Sequence, residues 1–270
     1  MKVLIPMNGM GNRYIAAGYK DPKPLIKVSG KPMIEHVCDL FPGETDFTFL
    51  CNTQHLETTK MQEVLESIRP GCKIIAVPYR QKGPVPVVLE AEAKEPFIDD
   101  GEPYVLSYCD FGGQWDYAGF KKKMLEEHYD GAIPSYTGFH PHLVHPGVYG
   151  GCQVDGNRDL IEIKEKHSWT EDKTLSWHSA GIYYFGSGAL MREYCQRCTE
   201  EVEGINGEHY MSMPYYLMAK ERKKVHVYPM EKFFQWGTPQ DLEEYEYWEE
   251  IFANGVTGAL FESRIKYAWT

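Results

Sequence analysis

The chain has 270 residues, a mass of 31.1 kDa and a hydrophobic content of 43%, which suits one core at the upper end of single-domain size. Its 28 basic and 39 acidic side chains give a formal net charge of −11, and such a charge argues against nucleic acid as a partner. No stretch approaches the ~20 apolar residues of a membrane span, so no membrane partner is expected.

Cysteine use and the amino-terminal segment bear on location. The seven cysteines are scattered and lack the density of a secreted disulfide scaffold. The first apolar run ends at Asn8, too short for a secretory signal. We therefore expect a reducing cytoplasm. Cys195 and Cys198 are spaced C-x-x-C within a helical pattern, with no second pair at zinc spacing, so chance placement is the better interpretation.

The first half of the chain alternates between apolar and helical patterns, which is typical of a layered α/β sheet. The predicted strands are 2–7, 47–51, 73–77 and 104–108. The predicted helices are 32–40, 56–68 and 85–94.

The second half is more antiparallel. The predicted strands are 131–136, paired strands within 149–164, 181–185 and 225–229. The predicted helices are 120–129, 189–202 and 211–220, and a Thr-Pro-Gln-Asp start signal at Thr238 opens a last one. We expect a catalytic domain over residues 1–240, with residues 241–270 as a helical annex of the same domain.

A glycine-rich loop follows the first predicted strand directly. Gly9-x-Gly11 and then Arg13 place backbone N–H groups and a guanidinium at the carboxyl end of that strand, where open α/β sheets bind ligands. The third glycine of a dinucleotide fingerprint and the Lys-Ser/Thr pair of a P-loop are both missing. By itself the pattern is equally consistent with a phosphate cradle and with a simple tight turn.

The segments that follow make the pattern specific. The loop continues to Asp21-Pro22-Lys23-Pro24-Leu25 and then to Gly30-Lys31-Pro32-Met33-Ile34. The whole segment 4–34 resembles the nucleotide-binding signature of the sugar-phosphate nucleotidyltransferases, the NDP-sugar pyrophosphorylase family. The resemblance implies a Rossmann-like, three-layer α/β/α fold of the GT-A-like nucleotidyltransferase type, with a mixed, mostly parallel central sheet.

In that family the glycine loop wraps the triphosphate, an arginine contacts its outgoing phosphates and a lysine neutralises the reacting phosphate. Gly9, Gly11, Arg13 and Lys23 match those positions. Asn8 stands where many members have alanine, and Asn12 where they have threonine or serine. We include both in the predicted nucleotide site. Gln81 and Gly83 match the loop that reads the base.

Later motifs resemble the family over a patchier range, up to about Leu242. Asp110 ends an apolar strand, as does the family's magnesium-binding aspartate, and Gln235 stands where a second metal-binding aspartate is usual. Glu165 and Lys166 match a Glu-Lys element in which the glutamate grips the acceptor and the lysine its phosphate. Ser179 to Tyr183 resembles an Asn-Ala-Gly-Ile-Tyr strand under the acceptor, which places Gly181 there.

The resemblance implies an enzyme that uses Mg²⁺ to join a nucleoside triphosphate to a small phosphorylated acceptor, a sugar 1-phosphate, with release of pyrophosphate. The rival hypotheses are a cytidylyltransferase acting on a non-sugar phosphate or phosphonate, a glycosyltransferase on the related fold, and a binding module without turnover. The base, the acceptor, the number of metal ions and homo-oligomerisation stay open. His140, His142 and His145 lie in a proline-rich loop that we interpret as an acceptor-site or surface loop rather than a metal site.

Overall fold

A computed structural model describes residues 1–144 and 149–254. Its strands, in chain order, are β1 (Lys2–Met7), β2 (Lys27–Val28), β3 (Lys31–Pro32), β4 (Phe47–Asn52), β5 (Lys73–Val77), β6 (Tyr104–Ser107), β7 (Phe111–Gln114), β8 (Gly131–Tyr136), β9 (Gly151–Val154), β10 (Leu160–Lys164), β11 (Trp177–Ser179), β12 (Ile182–Phe185), β13 (Val225–Pro229) and β14 (Lys232–Gln235).

The helices are α1 (Asn12–Ala16), α2 (Met33–Asp39), α3 (Thr53–Thr58), α4 (Met61–Ile68), α5 (Pro84–Lys94), α6 (Tyr117–Glu126), α7 (Gly188–Glu201), α8 (Ser212–Lys220) and α9 (Pro239–Asn254). Short 3-10 helices occupy Lys23–Leu25, Pro141–Val144 and Lys173–Leu175. Within the described ranges, no helix is long and apolar enough to cross a bilayer.

Ten strands of the described residues form one mixed sheet in the order β10-β9-β11-β8-β12-β6-β1-β4-β5, with β13 pairing β8. The pairings make β1, β4, β5, β6, β8, β9 and β13 point one way and β10, β11 and β12 the other. The sheet is therefore mostly parallel by strand direction. Its purely parallel part, β6-β1-β4-β5, carries the glycine loop at its carboxyl edge.

Helices cover both faces because the central strands are apolar on both sides. In β1, Leu4 belongs to a core beneath α5, α7 and α8, whereas Val3 and Ile5 belong to a second core beneath α2, α4 and α6. The alternation of side chains along a strand produces these two layers. The three-layer α/β/α architecture predicted from the sequence is confirmed.

Most predicted elements are present, and the strands predicted at 2–7, 73–77, 131–136 and 225–229 have the predicted bounds. The single helix predicted over 56–68 is wrong in its continuity. The backbone of Thr59 is extended, with φ −135° and ψ 176°, which ends α3 before α4 begins at Met61. The side chain of Asn52 caps α3 by accepting a hydrogen bond from the Gln54 N–H at 2.9 Å.

A two-stranded ribbon lies outside the main sheet and was not predicted. β7 and β14 pair antiparallel, with Gln235 opposite Phe111. Next to this ribbon, Tyr14, Trp236 and Leu242 share a third, smaller core. Leu242 belongs to α9 and Tyr14 belongs to α1, so α9 shares this core with the helix that follows the glycine loop.

Candidate active site

The glycine loop connects the carboxyl end of β1 to α1. Gly11 adopts φ +72°, and a β-carbon built there would lie 3.3 Å from the Lys23 Cβ. A side chain at this position would strain the backbone and crowd Lys23. The amide of Asn8 reaches the Pro78 carbonyl at 3.4 Å, and Asn52 donates to the Asn8 carbonyl at 3.0 Å.

A cavity of about 290 Å³ opens over this loop. Seven of the predicted residues line it: Asn8, Gly9, Gly11, Lys23, Gln81, Gly83 and Asp110. We call it the nucleotide cavity. It also contains Tyr79, Arg80 and Glu208, to which the sequence motifs gave no role.

Gly83 has a structural reason to be glycine. Its φ is +82°, and a β-carbon there would lie 2.6 Å from the carbonyl oxygen of His209. The chain needs this close approach because the N–H of Val85 donates to that carbonyl and the N–H of His209 donates to Lys82. Gly83 therefore shapes the wall of the nucleotide cavity through its backbone.

Lys23, the first residue of the 3-10 helix Lys23–Leu25, forms an ion pair with Asp110, which lies shortly after β6. The Lys23 ammonium donates to Asp110 Oδ2 at 2.5 Å and to the Gly237 carbonyl at 2.7 Å. Both side chains remain partly exposed, Lys23 at 16% and Asp110 at 30%. Lys23 and Asp110 were predicted from two separate motifs, and the structure brings them into direct contact.

Gln235 lies beside this pair. The N–H of Trp236 donates to the Asp110 carbonyl at 3.1 Å, which holds the end of β14 against Asp110. The Gln235 amide nitrogen donates to Asp241 Oδ2 at 2.8 Å. Its amide oxygen Oε1 is buried without a hydrogen-bond partner, and such an oxygen is costly unless a ligand or ion satisfies it.

A second cavity, of about 260 Å³, adjoins the first and shares Tyr108, Asp110 and Tyr210 with it. We call it the acceptor cavity. Its predicted residues are Arg13, Asp110, Glu165, Lys166, Gly181 and Gln235. Gly181 adopts φ +83°, and a β-carbon there would lie 2.9 Å from the Tyr108 ring. A larger residue would therefore displace this ring from the wall of the cavity.

Glu165 and Lys166 follow the edge strand β10 in a turn. Lys166 is in the left-handed region, with φ +54°, a strained conformation for a lysine that the surrounding structure must hold. The Glu165 carboxylate accepts from the Ser212 hydroxyl at 2.5 Å. Burial raises the pKa of Glu165 above its ordinary value, partly opposed by the Ser212 hydrogen bond and the charge of Lys166.

The structure brings twelve of the thirteen predicted site residues to these two cavities. Asn12 is the exception, since it is exposed at the start of α1 and lines neither cavity. The two cavities meet at Asp110, so a ligand in one would lie next to a ligand in the other.

Comparisons with known proteins bear on the fold that carries these cavities. No family model matches the chain. The bifunctional protein GlmU of Alkaliphilus oremlandii is 26% identical over 267 residues, which are 95% of this chain and 55% of that protein. This chain thus spans about half the length of that curated relative.

Solved structures share the fold. A nucleoside-diphosphate-sugar pyrophosphorylase from Vibrio cholerae RC9 has a TM-score of 0.69 at 18% identity, covering 90% of this chain and 98% of its own. A UDP-glucose pyrophosphorylase in complex with UDP-glucose has a TM-score of 0.68 at 17% identity, covering 92% and 98%. The chain thus shares its fold with two nucleotide-sugar pyrophosphorylases of known structure.

Some residues that line these cavities were given no role by the sequence motifs. Tyr108, Tyr149 and Tyr210 line the acceptor cavity, as does Tyr183, which ends the strand motif that begins at Ser179. Tyrosines are too common in the chain for composition to locate them. Asp241 could have been found, because Thr238 and Asp241 have the spacing of a helix-capping pair.

Among the described residues, His140 and His142 of the histidine loop line neither the nucleotide cavity nor the acceptor cavity. The Tyr136 hydroxyl and His142 Nε2 are 2.7 Å apart in a buried pair, and the His140 ring packs on Tyr136. His145 lies outside the described residues. A larger cavity of about 560 Å³ borders this region and α9, and of the predicted site residues described it contains only Gln235.

Cys109 directly precedes Asp110 and lines the nucleotide cavity. Burial raises the pKa of its thiol to about 12, with a further contribution from Asp110. The thiol is therefore neutral at physiological pH and poorly suited to act as a nucleophile.

Proposed function

We propose that this protein is a nucleotidyltransferase that joins a nucleoside triphosphate to a small phosphorylated acceptor and releases pyrophosphate. The observation that carries the proposal is the meeting of the two cavities at Asp110, with Lys23 beside it and Arg13 and Lys166 in the acceptor cavity. A triphosphate on the glycine loop and an acceptor phosphate next to it would bring the reacting atoms together.

In the proposed reaction, a phosphate oxygen of the acceptor attacks the α-phosphorus of the triphosphate. A new P–O bond forms, the bond from the α-phosphorus to the bridging oxygen of the β-phosphate breaks, and pyrophosphate leaves with that electron pair. The attacking phosphate is already ionised, so no general base is required. The protein contributes position and charge neutralisation, as in other phosphoryl-type transfers.

The basic residues divide this work. Lys23 reaches the edge of the glycine loop and neutralises the reacting phosphate once its pairing with Asp110 is released. Arg13 is exposed at the cavity, and the described residues give it no ion pair, so its guanidinium is available for phosphate oxygens. Lys166 binds the phosphate of the acceptor.

The residues at Asp110 fit a magnesium ion. A carboxylate and the unpartnered amide oxygen of Gln235 are the hard oxygen donors that Mg²⁺ takes. Magnesium in nucleotide sites usually adds substrate phosphates and water to one or two protein ligands. Bound there, the ion would stabilise the negative charge that develops between the reacting phosphates.

A sugar 1-phosphate is the acceptor class that the resemblance of the motifs supports, and a non-sugar phosphate is the second candidate. The divergent acceptor half motivates a broad search for the acceptor.

All seven cysteines are free thiols, which supports the proposed cytoplasmic location.

The test is pyrophosphate release from the full chain with Mg²⁺, over a grid of nucleoside triphosphates and phosphorylated acceptors. We expect one triphosphate and one acceptor class to give rapid release that depends on both. In Asp110→Asn, turnover should fall roughly 1000-fold, while the triphosphate still binds without metal. Tight nucleotide binding with no release for any pair would favour a binding module instead.

A further inference from the structure

The Glu165 carboxylate has no counter-charge in direct contact. Among residues 1–144 and 149–254 the structure gives it no ion pair, and the Ser212 hydroxyl is its hydrogen-bond donor. The ammonium of Lys166 lies instead over the Tyr210 ring, 5.7 Å from its centroid. A half-buried carboxylate of this kind is stabilised by a cation, and the acceptor cavity is the open space next to it.

The same cavity is lined by aromatic rings. Tyr108, Tyr149, Tyr183 and Tyr210 all contribute to its wall. Burial is the main cause that raises the pKa of each phenol, and the negative charge of Glu165 adds to it in all four. Glu165 lines the same cavity as all four rings. A carboxylate among aromatic rings is an environment that attracts an organic cation.

Several polar groups of the cavity are already paired with one another. The Ser179 hydroxyl donates to the Tyr183 hydroxyl at 3.0 Å and accepts from the Gly181 N–H at 3.2 Å. The Tyr210 hydroxyl donates to Glu208 at 2.6 Å. A sugar hydroxyl that binds these groups would therefore have to compete with the hydrogen bonds they already make.

We propose that the acceptor carries a positively charged nitrogen in addition to its phosphate, with the nitrogen against Glu165 and the tyrosine rings and the phosphate toward Lys166 and Arg13. The inference rests on the proposed function and names the acceptor class of the same site. Glu165 and Lys166 are consecutive residues, and the cavity holds about 260 Å³, so the acceptor is a compact zwitterion. Two sources share this chemistry, a phosphorylated amino alcohol and an amino sugar 1-phosphate.

The experiment compares acceptors that differ only in the cation, using the full chain. Phosphocholine is paired with 3,3-dimethylbutyl phosphate, its uncharged isostere, and glucosamine 1-phosphate with glucose 1-phosphate. Binding is measured by calorimetry and turnover by pyrophosphate release with the triphosphate found active. We expect the charged member of one pair to be preferred at least ~10-fold, and the pair that shows the preference identifies the source.

Variants assign the preference to Glu165. Glu165→Gln keeps the shape and removes the charge, so it should lose the preference, whereas Glu162→Gln removes a charge from the same segment outside the cavity and should keep it. Ser212→Ala removes only the neutral donor to Glu165 and should keep or enlarge the preference. A preference that falls in Ser212→Ala would contradict the assignment to Glu165, so this variant keeps the inference testable if Glu165→Gln does not fold.

Equal binding of the charged and neutral members of both pairs would overturn the inference, as would a preference that Glu165→Gln retains. If glucose 1-phosphate turns over best, the inference fails and the proposed function stands. If no acceptor gives pyrophosphate, the proposed function fails, and calorimetry on the same pairs still decides the charge preference.

Discussion

At the scale of single residues, Lys23 joins parts of the site that lie far apart in the chain. It pairs with Asp110, 87 positions away, and donates to the Gly237 carbonyl, 214 positions away. The Lys23 ammonium would therefore compete with a metal ion for the Asp110 carboxylate. Metal and triphosphate are therefore expected to bind with mutual coupling, because the triphosphate offers Lys23 an alternative partner.

Arg13 offers the cleanest test of the phosphate cradle. In Arg13→Ala we expect kcat/KM to fall roughly 100-fold with an unchanged free energy of unfolding, because the side chain faces the cavity and not the core. Steady-state pyrophosphate release and urea unfolding measure the two quantities. Lys20→Ala, which removes an exposed cation from the segment after α1 and outside both cavities, should change neither. Wild-type turnover in Arg13→Ala would mean that the cradle is misplaced.

Lys166 should act on one ligand only, since it lines the acceptor cavity and not the nucleotide cavity. Lys166→Ala is expected to raise the KM for the acceptor roughly 10-fold and to leave nucleotide affinity, measured by calorimetry, unchanged. Lys164→Ala, at the exposed end of β10, is the matched control. A similar loss of affinity for both ligands would contradict the assignment of Lys166 to the acceptor.

At the scale of elements, the start of α9 determines how Gln235 is oriented. Asp241 Oδ2 accepts from the Thr238 N–H at 2.9 Å and from the Thr238 hydroxyl at 2.6 Å, and the Asp241 N–H returns a bond to that hydroxyl at 3.2 Å. These bonds form a capping box, and the same Asp241 Oδ2 also accepts a hydrogen bond from the Gln235 amide nitrogen. A carboxylate can only accept hydrogen bonds, so Asp241 fixes the amide nitrogen toward itself, and the amide oxygen is left without a hydrogen-bond partner among the described residues.

We therefore expect Asp241→Ala to weaken divalent metal binding roughly 10-fold, as loss of a partner that orients a ligand does. Mn²⁺ titration by electron paramagnetic resonance, with a non-hydrolysable triphosphate present, measures this without turnover. Thr238→Ala disrupts the same cap without removing the partner of Gln235, and it should retain metal affinity.

A second substitution distinguishes orientation from simple damage. Gln235→Asp supplies a ligand that needs no amide orientation, so in the Asp241→Ala background it should restore Mn²⁺ affinity. In the otherwise wild-type chain, Gln235→Asp should still tighten metal binding without nucleotide, although the nearby Asp241 carboxylate opposes the gain. No change of metal affinity in any of these variants would remove Gln235 from the metal site.

At the scale of the whole molecule, Glu44 connects the segment before β4 to α6. Its side chain is 6% exposed, and its carboxylate accepts from the Tyr117 hydroxyl at 2.6 Å and from Lys121 at 2.5 Å. Burial by itself raises the pKa of Glu44, but hydrogen bonds from Lys121, the Met1 amino group and Tyr117 more than offset it, so the pKa lies below its ordinary value.

A lowered carboxyl pKa stabilises the folded state at pH values above the ordinary carboxyl value of 4.5, and this contribution is lost as the pH falls below that value. We expect Glu44→Gln to lower the free energy of unfolding at pH 7 by about 2 kcal/mol. Urea unfolding from pH 7 to pH 3 should show a smaller acid-induced loss in the variant. Parallel pH curves for the two proteins would contradict this role.

The sequence by itself determined the parallel core and the choice of most candidate site residues. β1, β5, β8 and β13 have the predicted bounds because buried strands are short apolar runs between turn residues, and such runs are readable locally. The glycine loop, Lys23, Asp110 and the Glu165-Lys166 pair were found because their motifs resemble a family. The division at residue 240 stays a prediction, and residues 255–270 lie outside the described ranges.

Only the tertiary structure decided how those residues meet. The pairing of Lys23 with Asp110, the contact of Asp241 with Gln235 and the position of Gln235 opposite Phe111 depend on the β7/β14 ribbon and on the docking of α9. The tyrosines around Glu165 come from the segment after β6 (Tyr108), from Tyr149 before β9, from β12 (Tyr183) and from Tyr210 before α8. Periodicity reports which face of one element is buried, whereas these contacts join residues far apart in the chain, and their geometry is fixed only when the layers pack.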